Sequence, residues 1–294
     1  MRVFVTGGTG FVGTSIVRQL IEAGHEVTGL ARSDTAAAKL AAAGAAIRHG
    51  ALDDTATLAE AAKDADGVVH TGFIHDFSNF GHSVAIDKAA IEALGNALAG
   101  TGKPLLVTSG LGLLKFDGIA TENDVSDHAS PRLSETAALP FAERGVRVGL
   151  VRLPPSVHGD SDHGFVPALI GFARQHGRSA QIADGANRWP AVHVDDAGRL
   201  FVLALEKGEA GGRYHAVGDA GIPFREIAET IGRKLDVPHV SLTGEAVAGH
   251  FGWMAHFAGM DVLASCALTQ EKLGWRATGP GLLEDLEHGQ YFDS

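Results

Sequence analysis

Cysteine is nearly missing from this chain. Cys266 is alone among 294 residues, so no disulfide can close within it. A single thiol suits a reducing compartment, and the sequence reads as cytoplasmic. Cys266 itself, between Leu263 and Leu268, reads as a small packing residue rather than a nucleophile. Positive charge is also short. Lys and Arg number 24 against 35 Asp and Glu, a formal net charge of -11, which argues against an electrostatic grip on nucleic acid or an anionic membrane. No apolar run has the length of a membrane span. The opening residues form a strand interrupted by glycine, unlike the apolar core of a secretory signal. Repeats, linkers and low-complexity runs are lacking as well. Tyrosine occurs twice, as Tyr214 and Tyr291. Gly218 stands four residues after the first, and no residue stands at that distance after the second.

What remains is an ordinary globular composition, 45% hydrophobic and 20% charged. The length accommodates one large α/β domain with a smaller appendage. The first thirteen residues organise it. Arg2 to Thr6 reads as a buried strand, and Gly7-Gly8-Thr9-Gly10-Phe11-Val12-Gly13 as a tight turn opening a helix. Gly8, Gly10 and Gly13 give the spacing G-x-G-x-x-G between a strand and an amphipathic helix, the context in which that spacing marks a dinucleotide site. Glycine supplies positive φ and lets the backbone approach a pyrophosphate. The N–H groups and dipole of the helix starting at Phe11 then face that anion.

The chain continues in alternation. Helical spacing covers 11–23, then about 34–43, 57–63, 84–99 and 133–144. Strands are expected at 26–30, 46–49, 67–70, 105–108 and 147–152. This rhythm predicts an α/β fold, a doubly wound parallel Rossmann sheet. Beyond Pro154-Pro155 it breaks: 165–176 reads as a helix, 186–190 as a loop, 192–207 as a turn into a helix, 213–217 as a strand and 224–235 as an amphipathic helix. The expected organisation is interleaved, with residues 1–158 and a return segment 191–218 in the dinucleotide domain. Residues 159–190 and 219–294 would form a substrate-side cap.

Thr6 to Gly13 with Asp66-Gly67-Val68-Val69-His70, Val107-Thr108-Ser109, Val151-Arg152-Leu153-Pro154, Val157-His158-Gly159 and Val192-His193-Val194-Asp195-Asp196 resembles an extended short-chain dehydrogenase/reductase over nearly the whole chain. The resemblance implies nicotinamide at the C-terminal edge of the sheet and substrate between that edge and the cap. It also brings a departure, because the family's usual Tyr-x-x-x-Lys is missing. In its window stands His128-Ala129-Ser130-Pro131-Arg132, as in an atypical subgroup with His-x-x-x-Arg instead. A neutral imidazole exchanges protons near physiological pH, and a guanidinium stays charged to hold a hydroxyl or carbonyl oxygen. His128 thus reads as the group that supplies or accepts the proton, and Arg132, helped by Ser109, as the group that stabilises the developing oxyanion. His128 and Arg132 fit equally a surface-loop histidine and a solvated first-turn charge, since Pro131 disfavours helix before it. Asp124 and Asp127 would either orient the imidazole or solvate the loop. The family's substrate-bonding hydroxyl implies Ser109 or Thr108, which could instead cap the strand end.

An NAD-selective site carries Asp or Glu at the end of the second strand. Here Ala31 is followed by Arg32 and Ser33, suited to a 2′-phosphate, so NADP(H) is the expected cofactor. Leu52 and Asp53 are expected to flank adenine, and Thr71, Gly72 and Phe73 to pass close to the cofactor. His70, His75, Asp76 and Asn79 are candidate substrate contacts. His158, Asp160, Asp162 and His163 read as a substrate-edge loop rather than a metal site. Trp189 reads as packing, Asp195-Asp196 as a helix cap, and Phe251, Trp253, Phe257 and Met260 as core or cap lining. The expected activity is hydride transfer between nicotinamide and a small carbonyl or alcohol. A dinucleotide sensor and a sugar-nucleotide epimerase are the rivals, and a homodimer follows by analogy.

Overall fold

The computed structural model describes residues 1–76, 79–126, 130 and 132–293. Its first half follows the glycine-punctuated alternation: β1 (Arg2–Thr6), α1 (Phe11–Glu22), β2 (Glu26–Ala31), α2 (Asp34–Ala42), β3 (Ala46–His49), α3 (Thr55–Asp64), β4 (Gly67–His70), α4 (Phe80–Leu98) and β5 (Pro104–Gly110). Three two-residue strands follow, β6 (Leu114–Lys115), β7 (Ile119–Ala120) and β8 (Val125–Ser126), then α5 (Ser134–Ala138) and β9 (Arg147–Leu153). The remainder contains β10 (Ser156–His158), α6 (Phe165–His176), β11 (Ser179–Ile182), β12 (Arg188–His193), α7 (Val194–Lys207), β13 (Gly212–His215), β14 (Asp219–Pro223), α8 (Phe224–Leu235) and β15 (His239–Leu242).

Seven strands form one sheet in the order β13-β9-β5-β4-β1-β2-β3, and every pairing in it is parallel. Alternation along β1 builds a core on each face. Val3 and Val5 pack with Ile16, Leu20, Phe201 and Leu205 of α1 and α7. Phe4 packs on the opposite face with Leu58, Leu94 and Leu150. The order reverses direction between β1 and β4, so their C-terminal ends open the crevice where such sheets bind ligands. A third core, including Val166, Ile170, Trp189, Phe224 and Leu286, lies outside the main sheet. Among the described residues no helix is long and apolar enough to cross a membrane.

Three local expectations need correction. Residues 188–190 are strand, not loop: Trp189 is buried and pairs with Ile222 across β12 and β14, and the register shifts between Trp189 and Ala191. Pro190 falls at that irregularity, where a missing N–H is tolerated. The helix expected over 133–144 stops at Ala138 and tightens to a 3₁₀ turn over Leu139–Phe141, because Pro140 cannot donate to a continuing α-helix. The strand expected over 213–217 ends at His215.

The opening turn depends on closeness. Gly7 carries φ +72°, and a Cβ there would meet Gly72 N at 2.6 Å. The positive φ therefore falls one residue before the G-x-G-x-x-G triplet, and Gly10 is extended at φ -76°. Gly13 serves contact rather than conformation, since a Cβ on it would sit 2.0 Å from Gly7 O. Gly13→Ala is expected to cost about 1–3 kcal/mol through this forced separation. A urea unfolding midpoint equal to that of the unsubstituted protein would contradict this packing.

Candidate functional site

Gly10 caps α1 without any side-chain bond to the first-turn N–H groups, and the first turn carries no acidic residue. The resulting concave backbone faces the end of the sheet and is suited to an anion. Gly7, Gly8, Gly10, Phe11, Val12 and Gly13 all belong to this turn. Gly72 closes its other side, leaving no room for a Cβ between Leu52 Cδ2 at 2.8 Å and Thr6 Oγ1 at 3.2 Å. Thr71 is tied to the same place, its hydroxyl donating to Thr6 O at 2.9 Å. Thr6, Thr71, Gly72 and Leu52 are therefore brought together around the turn. Asp53 is exposed at the exit of β3.

From Thr6 a buried chain of polar groups crosses beneath the crevice. Thr6 Oγ1 lies 2.9 Å from His70 Nδ1, and His70 Nε2 lies 3.1 Å from Asp87 Oδ1. Ser134 Oγ donates to Asp87 Oδ2 at 2.6 Å, and Arg132 Nε donates to Ser134 Oγ at 2.9 Å. An ionised Asp87 can only accept, so His70 carries its proton on Nε2 and accepts the Thr6 hydroxyl on Nδ1. Gly72 N donates to Thr6 Oγ1 at 3.2 Å. Burial opposes the charge on Asp87, but the bonds from His70 and Ser134 and the nearby Arg132 together hold its carboxyl below the usual carboxylate range. His70 is buried within this chain, and that placement removes it from the candidate substrate contacts.

Arg132 ends the chain. Its Nη2 donates to Thr108 O at 3.3 Å, and its guanidinium carbon stands 4.2 Å from the centre of the Phe73 ring. Burial lowers its pKa while Asp87 and Glu135 oppose that shift, and a guanidinium remains charged under such conditions. Thr108 Oγ1 donates to His70 O at 3.0 Å, locking β4 to β5. Arg132, Thr108 and Phe73 therefore meet at the ends of these two strands. His128 lies outside the described residues.

Ser109 points elsewhere. Its register partner on β9 is Arg152, which makes a buried bidentate pair with Glu135, both bonds 2.8 Å. Ser109 Oγ has no partner at hydrogen-bond distance among the described residues. Glu135 lies close enough to gain from that hydroxyl: burial resists its ionisation, and Arg152 and then Ser109 favour it, leaving its pKa lowered. Arg152 also reaches Asp124 O at 2.8 Å and His215 Nε2 at 3.2 Å. The sequence pattern gave no sign of this second network, because its members lie far apart along the chain.

Arg32 is exposed just beyond β2, and no carboxylate among the described residues forms a salt bridge with it. Ser33 caps α2, accepting Ala36 N–H at 3.2 Å while its own proton stays available to a ligand. The Asp195-Asp196 pair does not cap α7. His193 Nδ1 does so, accepting Asp195 N–H at 3.3 Å, while Asp195 binds Ser15 and Asp196 receives Thr278 N and Gly279 N. In the 158–164 segment two polar side chains are engaged structurally. His158 meets Asp285 at 2.8 Å, and Tyr291 OH donates to Asp162 at 2.9 Å. Among the described residues no three His, Cys, Asp or Glu side chains are grouped so as to hold a metal ion. Cys266 donates to Val217 O at 3.2 Å, and burial pushes its thiol pKa up, against nucleophilic use.

A glycine-walled anion cradle at the reversal point of a parallel sheet defines a dinucleotide-binding Rossmann fold. The model of the NAD dependent epimerase/dehydratase family matches residues 3–89. An uncharacterized protein of Schizosaccharomyces pombe is 50% identical over 295 residues, covering 99% of this chain and all of that protein. Vestitone reductase of Medicago sativa is 28% identical over 274 residues, covering 79% of this chain and 81% of that enzyme. The dTDP-glucose 4,6-dehydratase DesIV of Streptomyces venezuelae, solved with NAD bound, superposes with a TM-score of 0.79 at 21% identity. It covers 100% of this chain and 97% of its own, and at that identity the likeness establishes the fold. The chain belongs to the NAD dependent epimerase/dehydratase family, the extended short-chain dehydrogenases/reductases.

The buried chain has a measurable cost of disruption. Asp87→Ala leaves His70 and Ser134 without their acceptor and is expected to cost about 3 kcal/mol, whereas Asp87→Asn keeps an acceptor and costs less. Equal urea midpoints for the two variants would contradict the role given to Asp87. Acid sensitivity follows from His215, held down to about 4 by burial, with Glu122 opposing and Arg152 adding to the shift. The unfolded chain takes up this proton near 6.5 and the folded chain resists it to about 4. Stability is therefore expected to fall as pH drops through that window, and less steeply in His215→Gln. Urea midpoints that stay flat from pH 7 to pH 4 would contradict it.

Proposed function

We propose that the protein is an NADP(H)-dependent oxidoreductase that moves hydride between nicotinamide and a small carbonyl or alcohol substrate. The observation that carries this reading is the placement of Arg132. A fixed cation stands over Phe73, at the ends of β4 and β5, and the glycine turn of the same crevice opens α1 with no capping side chain and no acidic residue in the first turn. A nicotinamide dinucleotide, when bound, supplies hydride. The chain's own residues do the rest. The turn from Gly7 to Gly13 holds the phosphates, Thr71 and Gly72 border the cofactor, and Leu52 and Asp53 flank adenine. Arg32 pairs with the 2′-phosphate and Ser33 donates to it. Arg132 stabilises negative charge developing on the substrate oxygen. The proposal keeps His128 as an acid/base group on the sequence pattern alone, and does not carry Ser109 forward, because its buried hydroxyl lies beside Glu135.

The division into residues 1–158 with 191–218, and 159–190 with 219–294, is proposed as cofactor domain and substrate-side cap. It is supported by the separate core built around Trp189 and Phe224. A sugar-nucleotide substrate fits less well, because its phosphates need cations. Arg132 is given to the substrate oxygen in this reading, and Arg188 is held in a two-point pair by Asp261.

Two measurements test this reading. Turnover of NADPH with a panel of aromatic and aliphatic ketones and aldehydes is expected for at least one carbonyl; tight NADPH binding without any turnover favours a sensor instead. Arg32→Asp is expected to weaken NADPH binding by about 10–100-fold, the range of one charge-assisted bond, and to spare NADH. Equal affinity of the unsubstituted protein for NADH and NADPH would contradict the role of Arg32.

A further inference from the structure

The missing phenol leaves a chemical gap. A carbonyl that accepts hydride must also receive a proton, and Arg132 cannot give one, since a guanidinium does not deprotonate in proteins. An ionisable donor must therefore stand beside it; the sequence pattern offers His128, which lies outside the described residues, and the described residues offer another candidate.

Arg132 identifies the neighbourhood through Phe73. The guanidinium covers this ring at 4.2 Å, and the His75 imidazole meets it edge-on, with centroids 5.2 Å apart and planes at 70°. His75 and Arg132 therefore bear on one aromatic ring, from the loop leaving β4 and the segment entering α5. His163, in the loop entering α6, approaches from the cap side, its ring 5.9 Å from Phe11, the first residue of α1. Phe11 is also the first helical residue of the dinucleotide turn. His75 thus shares the Phe73 ring with the fixed cation and stands near enough to His163 to feel its charge.

We infer that His75 is a catalytic proton donor and acceptor at this site, acting with Arg132 on the substrate oxygen. The inference rests on the reductase reading given above. In the reducing direction the carbonyl carbon accepts hydride from a bound reduced nicotinamide. The C=O π pair moves to oxygen, and oxygen takes the proton from the His75 imidazolium. The products are an alcohol, the oxidised nicotinamide and a neutral imidazole, which regains its proton from water. In the reverse direction neutral His75 removes the hydroxyl proton as hydride leaves the carbon.

Three features suit the ring to this task. It is exposed, so solvent can reprotonate it. The Phe73 backbone lies close enough to favour the protonated ring. Protein crowded around the ring, followed by the charges of Arg132 and His163, lowers its pKa, which favours release of the proton to an oxyanion. Among the described residues, the charged groups acting on it include Arg132 before α5 and His163 before α6. Asp87 of α4 acts on Arg132 from below.

The test uses the full chain, NADPH and the carbonyls turned over by the unsubstituted protein. His75→Gln is expected to lower kcat by 10²–10⁴-fold, as loss of a general acid does, and to leave the NADPH dissociation constant within about threefold, too little to come from a lost charge-assisted contact. The fall in carbonyl-reduction rate as pH rises through the His75 pKa, expected because the protonated imidazole is the donor, should vanish with it. A second readout needs no turnover: the imidazole proton resonance of His75 in the cofactor-free protein should titrate below 6.5, and Arg132→Gln should move its midpoint upward. A His75→Gln protein with unchanged kcat and pH profile overturns the assignment and leaves the reductase reading intact. So does a His75 midpoint that does not respond to Arg132→Gln. If the unsubstituted protein binds NADPH and reduces no carbonyl, the reductase reading falls, and the role of His75 falls with it. If His75→Gln fails to fold, His75→Asn replaces it and is read by the same criteria.

Discussion

The closest constraint in this molecule is the contact between two stretches of backbone. The turn after β1 comes so near Gly72, and α1 so near the turn, that Cβ atoms at Gly7 and Gly13 would collide with main-chain atoms. This closeness is the physical content of the glycine spacing. It brings the ends of β1 and β4 to one point and leaves the first N–H groups of α1 facing a shallow concavity. The site is built outward from there.

The cradle and the cation are mechanically joined. Thr6 is the last residue of β1, and its hydroxyl begins the chain that passes through His70, Asp87 and Ser134 to Arg132. Each donor in that chain has a defined acceptor. A satisfied buried network of this kind resists rearrangement, because any member that turns away leaves a partner unpaired at high cost. Arg132 is therefore placed through four residues on four other elements, β1, β4, α4 and α5, not by its local sequence alone. The Arg152–Glu135 pair performs a comparable service one strand over, fixing α5 against β9.

Much of the fold was legible because glycine and apolar periodicity state it directly. Helices 165–176 and 224–235 carry a single apolar face each, and the structure has both within the expected bounds. The alternation over β1 to β5 left no other arrangement than a parallel sheet covered on both faces. Pro190 misled the reading of 186–190, since only the partner strand and its register shift explain how proline sits there. The site was legible in part. The anion turn follows from local spacing, but the relay to Arg132 joins residues 6, 70, 87, 132 and 134, and no sequence window contains them all. His193 as the cap of α7 was similarly hidden, because a histidine carries no capping signature of its own.

The central claim is that a nicotinamide dinucleotide lies along this crevice with its reactive ring at Arg132. A crystal structure of the protein with NADP+ tests it most directly. The account predicts the pyrophosphate against the N–H groups of Phe11 to Gly13 and the nicotinamide over the Phe73 side of the crevice, beside the guanidinium. A dinucleotide found elsewhere, or one whose nicotinamide lies away from Arg132, would contradict it.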